Sequence, residues 1–575
     1  MAIFRTASST VLAAMALAAP AAAAPGDLDP SFGEQGVFQR DLSSSGLDSG
    51  STALLALPGD RLLAAGWSAG RSEAVAVGRH LESGALDRSF GSEGIAAAEL
   101  DPCPDAYLNG FPAATVGPDD RIVVVGTAVV ETDDSEETRA VVTVFTKGGQ
   151  RDPAFGEGGT LCQLHGTSSS LDDVLVQPDG KIVVAGAAID ENGRVQALVV
   201  RYLSDGRRDG SFGVDGAVQR QYGTAGSSAA AIRRQPDGAL LLGGTVTDGD
   251  GREFALVARL MDDGAPDATF GTRADGSVRL PLEHAGPGRG VAYDLGLDAQ
   301  QHVVVAGQES SGPNEAARAV LARLEPDGDL DGQFGASGVT RVEAGLGSPP
   351  IAGFRALAFQ ADGKIVAAGF ALDQLDRRGA LLSRFDAAGR PDTGFGTAGA
   401  VRTQHGFGDV PYSQWTAIAL DSSGRIAAAG PAFGMTDDEQ LPHRWTVARF
   451  ISGAKAVALP PRPPDTPSTP KLRLPSSATV NRRGVVRLRV SCTSAVACRG
   501  TLTLRRNRVR LARAALTVAA GARRTVNVRL DAAGRRLLRR HARVTVRATS
   551  TLRRTSQPAL VVVQTLRLRR LTAAT

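Results

Sequence analysis

The chain has 575 residues, 68 of them Gly, with 5% aromatic and 42% hydrophobic side chains. That length exceeds one ordinary core, and that hydrophobic share excludes a wholly disordered chain, so several domains or a repeat array are expected. The formal net charge of +4 hides an asymmetry: residues 1–470 carry 38 basic and 59 acidic side chains, whereas residues 471–575 carry 26 basic and one acidic.

Residues 1–24 have a secretory layout, with Arg5, the apolar run VLAAMALAA and the small residues of APAAAAPG. The run is too short to span a bilayer, so cleavage near Ala23 is expected rather than a retained anchor, and the mature protein is expected outside the cytoplasm, secreted or at the cell surface. No later stretch reaches 18 consecutive apolar residues, so no transmembrane segment is expected.

From residue 25 to residue 452 three registers recur. The first is a turn: GDLDPSFG, GALDRSFG, GQRDPAFG, GRRDGSFG, GAPDATFG, GDLDGQFG and GRPDTGFG. Its phenylalanines (Phe32, Phe90, Phe155, Phe212, Phe270, Phe334 and Phe395) lie 57 to 65 residues apart and account for seven of the 19 in the chain. The second is a turn followed by an apolar strand, QPDGKIVVAG at its clearest. Pro178 presets φ, Asp179 bonds its own backbone, and Gly180 takes the positive φ that closes a hairpin. The third is the strand ALVARL and its variants, which precedes the FG turn and carries Arg201, Arg259, Arg323, Arg384 and Arg449.

Four short strands per repeat, with no helical spacing between them, imply an antiparallel meander. The array begins with a fourth strand, GVFQRDL, and ends on a third strand, TVARFIS. Six complete units and these two fragments therefore predict an all-β fold, a seven-bladed β-propeller fastened between the chain ends, rather than an open β-solenoid. The registers resemble the delta-60 repeat, a bacterial tandem repeat classed as a β-propeller domain of unknown function, over about residues 26–452. The resemblance implies a fold and a secreted or surface location and brings no binding or catalytic residues. DAQQHVVVAG, which loses the turn Gly, and TVFTKGG, which loses the strand Arg, depart from the pattern.

The repeated Arg invites pairing with the nearby turn Asp, a blade-building role rather than a ligand ring. Function is expected in the variable loops between second and third strands, several of them acidic: TDDSEET, DENG, TDGDGRE, LDQLD and MTDDEQ. Asp248, Asp250 and Glu253 loosely suggest a Ca2+ loop without EF-hand spacing, against the simpler reading of solvated loop charge. No other cofactor is expected. No GxSxG, HExxH or Walker motif occurs, so no catalytic residue is nominated. The reading is a non-enzymatic binding or scaffold protein, with an extracellular hydrolase or lyase using the propeller funnel as the alternative.

Four cysteines suit an oxidising compartment. Cys492 and Cys498 bracket a seven-residue segment and are expected to pair; Cys103 and Cys162 are the candidate second pair, linking successive blades. Residues 453–470 form a Pro-rich linker. Residues 471–575, at +25, alternate apolar residues with Arg, as in VVRLRVSC and TLRLRR, which predicts an immunoglobulin-like β-sandwich. DAAGRRLLRRH reads as a short helical turn. Such a module would tether the protein to anionic envelope polymer or lipid headgroups, and secretion argues against nucleic acid.

Overall fold

The computed structural model describes residues 23–453 and 472–570, except 43–47, 70–72, 104–105, 132–135, 281–287, 312–315, 346–349, 437–439, 475–476, 482–483, 493–497, 507–508, 519–522, 542 and 553–559. Most of the leader and of the Pro-rich linker lies outside the described residues. The chain divides into two compact units, Met1–Ala458 and Leu459–Thr575.

The first unit is all-β. Each repeat pairs its four strands antiparallel and in order, as in repeat 3, where Ser168–Val176, Ile182–Ile189, Val195–Tyr202 and Ala217–Arg220 form one meander. Repeats 3, 4 and 5 are further joined by single parallel bridges, Val195 to Gly226 and Glu253 to Arg289. Repeat 7 draws its outermost strand from the other end of the unit: Val37–Arg40 pairs antiparallel with Arg444–Phe450, Val37 opposite Ala448.

Apolar cores lie between successive sheets. Phe155, Leu171, Val184 and Leu198 join repeat 3 to repeat 2, and the series ends with Phe32, Leu54, Leu62, Trp445 and Val447, which join repeat 7 to repeat 1. All seven FG phenylalanines are fully buried. First strands pack on first strands in succession, and the first strand of repeat 7 packs on that of repeat 1. They are therefore the innermost strands.

Those inner strands share one irregularity. In repeats 1, 3, 4, 5 and 6 the register slips by one residue at Thr52, Asp172, Ala230, Tyr293 and Arg355. In repeat 7 the inner strand is split there, into Val410–Ser413 and Ala417–Leu420. The last glycine of the IVVAG register faces this bulge: a Cβ on Gly186, Gly244, Gly307 or Gly369 would collide with a carbonyl of the bulged strand. That is why the motif ends in Gly. Where repeat 5 lacks the turn Gly, Gln301 adopts the left-handed conformation itself, at φ 69°.

The second unit contains eight strands and the one helix among the described residues. The strand order runs Leu472–Arg473, Val485–Cys492, Ser477–Val480, Leu560–Arg570, Arg543–Leu552, Cys498–Arg506 and Val509–Val518, with Arg523–Arg529 paired to Val485–Cys492. The alternation holds at residue level: Val486, Leu488 and Val490 are buried, while Arg487 and Arg489 between them are exposed. The helix Ala532–Arg540 is capped by Asp531, whose carboxylate accepts the Gly534 N–H at 2.9 Å. The one acidic residue of residues 471–575 is thus spent on a helix start.

Candidate functional site

The repeated charged residues have a mechanical task. In repeat 3, Arg201 donates through Nε to Asp209 at 2.9 Å and through Nη1 to the Asp262 carbonyl of repeat 4 at 2.5 Å. Arg259 does the same with Asp267 and the Pro326 carbonyl, both at 2.7 Å. Arg323 does so with Asp331 and the Ala387 carbonyl, both at 2.6 Å. Arg449 binds Asp29 at 2.8 Å and the Glu82 carbonyl of repeat 1 at 2.6 Å. Each of these guanidiniums also lies over its FG phenylalanine, with Arg201 at 4.6 Å from Phe212 and Arg449 at 4.8 Å from Phe32. Buried charges need this degree of pairing. Burial raises the Asp29, Asp267 and Asp331 carboxyls, yet hydrogen bonds from the residue two positions on and from the guanidinium outweigh it and hold them below the usual range.

Repeat 2 has Val144 where the other repeats have Arg, and it obtains the staple from another strand. Arg121, at the register of the PDGK lysine, reaches Asp152 at 3.2 Å and the Ser204 carbonyl of repeat 3 at 2.9 Å. Lys181 and Lys364 at the same register already touch their turn Asp, at 3.0 and 3.2 Å. A longer, forked cation at that position covers both contacts.

With the repeated charges accounted for, the non-repeating ones stand out, and they gather at the bulges of the inner strands. Bulges re-aim side chains and occur beside binding sites. Arg233 bridges Asp173 at 2.5 Å and Asp294 at 2.6 Å, joining repeats 3, 4 and 5. Asp173 also accepts the Ile232 N–H, and Asp294 accepts the Leu357 N–H of repeat 6 at 2.9 Å. Burial pushes the Asp294 carboxyl up to about 6 even with Arg233 beside it. Asp172 is crowded by protein yet reaches solvent; burial, then repulsion from Asp173, raises it to about 6.

Across repeats 5 to 7 the lining changes to Arg and aromatic side chains. The Arg355 guanidinium lies 3.8 Å from the Tyr293 ring centroid and 5.5 Å from that of Phe370. Arg378 lies 4.0 Å from Phe370 and donates to Tyr412 Oη at 2.8 Å and Gln414 Oε1 at 3.3 Å. Tyr412 stacks on Phe433 at 4.1 Å, and Phe433 meets His443 at 4.3 Å.

The three carboxylates expected to suggest a Ca2+ loop are engaged separately. Asp248 binds Arg279 at 2.7 Å, Asp250 binds Arg252 at 3.2 Å, and Glu253 binds Arg289. Among the described residues no group of three His, Cys, Asp or Glu side chains could hold a metal ion. Cys103 and Cys162 form a disulfide with Cα atoms 5.9 Å apart. It joins the segment entering repeat 2 to that repeat's own outermost strand, Thr160–Gln163. Cys492 and Cys498 fall outside the residues whose side chains are described. Sequence reading missed Asp172, Asp173, Arg233, Tyr293, Asp294, Arg355, Arg378 and Tyr412. Aligned on the following turn, Asp173 and Asp294 stand where sister repeats place Ala53, Ala231 and Ala356, whereas the bulge register of Asp172, Tyr293 and Arg355 has no common residue type and carries no such signal.

Four segments, residues 177–212, 235–270, 302–334 and 360–395, match the family model of a domain of unknown function described as a β-propeller (DUF5122). These are β-propeller repeats. No curated protein matches the chain. Similar solved structures include the extracellular domain of a hybrid two-component system from B. thetaiotaomicron, 8% identical, covering 90% of this chain and 72% of that one at a TM-score of 0.23. A PL25 ulvan lyase is 10% identical over 73% of this chain and 96% of its own at 0.34. A Hadza microbial sialidase is 11% identical over 70% and 65% at 0.33. At such scores these likenesses say nothing of this chain's activity.

Proposed function

We propose that this is a secreted or cell-surface binding protein, non-enzymatic, whose seven sheets are the blades of one closed delta-60-type propeller and whose ligand enters along the inner strands. The observation that carries the reading is the division of labour among charged residues. The repeated arginines are consumed in stapling one sheet to the next, and the inner-strand bulges carry charged side chains that no repeat requires. The leader at residues 1–24 would be cleaved. Residues 471–575 would form an immunoglobulin-like sandwich that tethers the protein to anionic envelope polymer.

Two measurements on the mature protein test this. Binding to purified anionic envelope polymer should fall steeply between low salt and 0.15 M ionic strength, as exposed charge is screened over about 8 Å, and should be lost on removing residues 471–575. A screen of carbohydrate and ester substrates should give no turnover. Asp172 favours the hydrolase or lyase reading, because a carboxyl near 6 open to solvent suits general acid–base chemistry. Turnover abolished by Asp172→Asn would install that reading in place of the binding one.

A further inference from the structure

Arg355 and Arg378 differ from the staple arginines. Every staple arginine meets a carboxylate, yet among the described residues neither of these two does. Arg355 is half-buried on an innermost strand, and its buried Nε has no hydrogen-bond partner. Arg378 spends its contacts on neutral oxygens of Tyr412 and Gln414. Burial holds the Arg355 guanidinium below its ordinary range, and the charge of Arg378 acts in the same direction. Two neighbouring cations, each only partly open to water and neither beside a carboxylate, make a place that an anion from elsewhere would complete.

The surroundings describe that anion. Both guanidinium planes are held by aromatic faces, Tyr293 and Phe370 for Arg355, Phe370 and Tyr412 for Arg378. Planar forks fixed in this way match the two coplanar oxygens of a carboxylate. Beside them the half-buried Tyr412–Phe433 stack continues to His443, offering an aromatic flank to the C–H face of a ring. Arg355 sits on an innermost strand, a place that a slender chain reaches more readily than a flat membrane surface does.

We infer that Arg355 and Arg378 receive the carboxylate of an acidic saccharide, whose sugar ring lies against Tyr412 and Phe433. The inference rests on the reading of the protein as a binding protein and names the ligand class of its inner-strand site.

The test is calorimetric titration of the full mature chain with oligogalacturonate, with D-galacturonate as the free-acid arm and neutral cello-oligosaccharide as control. Oligogalacturonate should bind, the free acid more weakly, and the neutral oligomer not at all. Arg355→Gln and Arg378→Gln should each weaken binding at least tenfold. Arg355→Lys should fail to restore it, because an ammonium lacks the fork. Thermal unfolding supplies the second readout: Arg355→Gln should leave the melting temperature unchanged or raise it, since the substitution removes an unpaired, half-buried charge. A lowered melting temperature would make Arg355 a structural residue and overturn the inference. So would equal binding by wild type and both variants, or no binding of either acid. Retained binding of some other saccharide that Asp172→Asn disrupts would end this inference and leave the binding reading standing; turnover of any saccharide would end both.

Discussion

Replacing Arg449 by Met removes the staple between the two ends of the propeller unit, and its cost follows from three contacts. The side chain is buried, donates at 2.8 Å to Asp29, at 2.6 Å to the Glu82 carbonyl and at 2.9 Å to Ser31 Oγ, and covers Phe32. Met fills most of the volume, so little of the loss is a cavity. What remains is the Asp29 carboxylate, 6% exposed, with Arg425 at 3.8 Å as its remaining cation. Fully stranding one partner of a buried pair costs about 3–5 kcal/mol, and because Arg425 stays near Asp29 the loss should lie at or below the lower end, about 2–3 kcal/mol. Arg323→Met breaks equivalent contacts between repeats 5 and 6 and should lose a similar amount. The two differ in place: only Arg449→Met should accelerate hydrogen exchange across Val37–Arg40, the strand held by Arg444–Phe450. Unfolding by denaturant gives the first quantity and exchange mass spectrometry the second. A loss under about 1 kcal/mol, or unchanged exchange at Val37–Arg40, refutes the reasoning.

Phe212→Ala empties a fully buried site between repeats 3 and 4 and should cost about 3–5 kcal/mol by denaturant unfolding. His80 is buried neutral, its pKa lowered by burial to about 4 against 6.5 in an unfolded chain. The unfolded state therefore takes up the proton first, and stability is lost as pH falls from about 6.5 towards 4. His80→Phe should remove about 3 kcal/mol of that loss at pH 4, seen as a flatter melting temperature against pH. Reducing Cys103–Cys162 frees a loop of 59 residues in the unfolded chain and should lower stability by about 4 kcal/mol in the chain-entropy picture, measured with and without reductant.

The four-stranded repeat was legible because its signals are local. The PDG turn, the IVVAG strand and the FG plug each announce themselves within ten residues, and Arg487 and Arg489 alternate outward as the pattern of VVRLRVSC requires. Contacts between repeats were not legible. Nothing in TVFTKGG says that Arg121, more than twenty residues earlier, does the work of the missing strand Arg. The inner-strand site was hidden for a related reason. A bulge inserts one residue into a period of two, so Asp172 and Arg355 read as ordinary strand positions until the partner strand shows the slip. The loop carboxylates drew attention because they are clustered in sequence, and the structure disperses them onto separate arginines.

The joint between Val37–Arg40 and Arg444–Phe450 also sets an order of events. The other described strands of the unit find their antiparallel partners within their own repeat, whereas Val37 must wait for Ala448, made some four hundred residues later. At ribosomal rates of about 5–20 residues per second that wait is tens of seconds. Throughout it the earliest segment of the unit is an unpaired edge carrying Phe38, a residue buried once the joint forms. A holding factor that shields this segment, or delay of its folding until the whole chain is available, would therefore raise the yield of native protein far more than the same help given to any internal repeat.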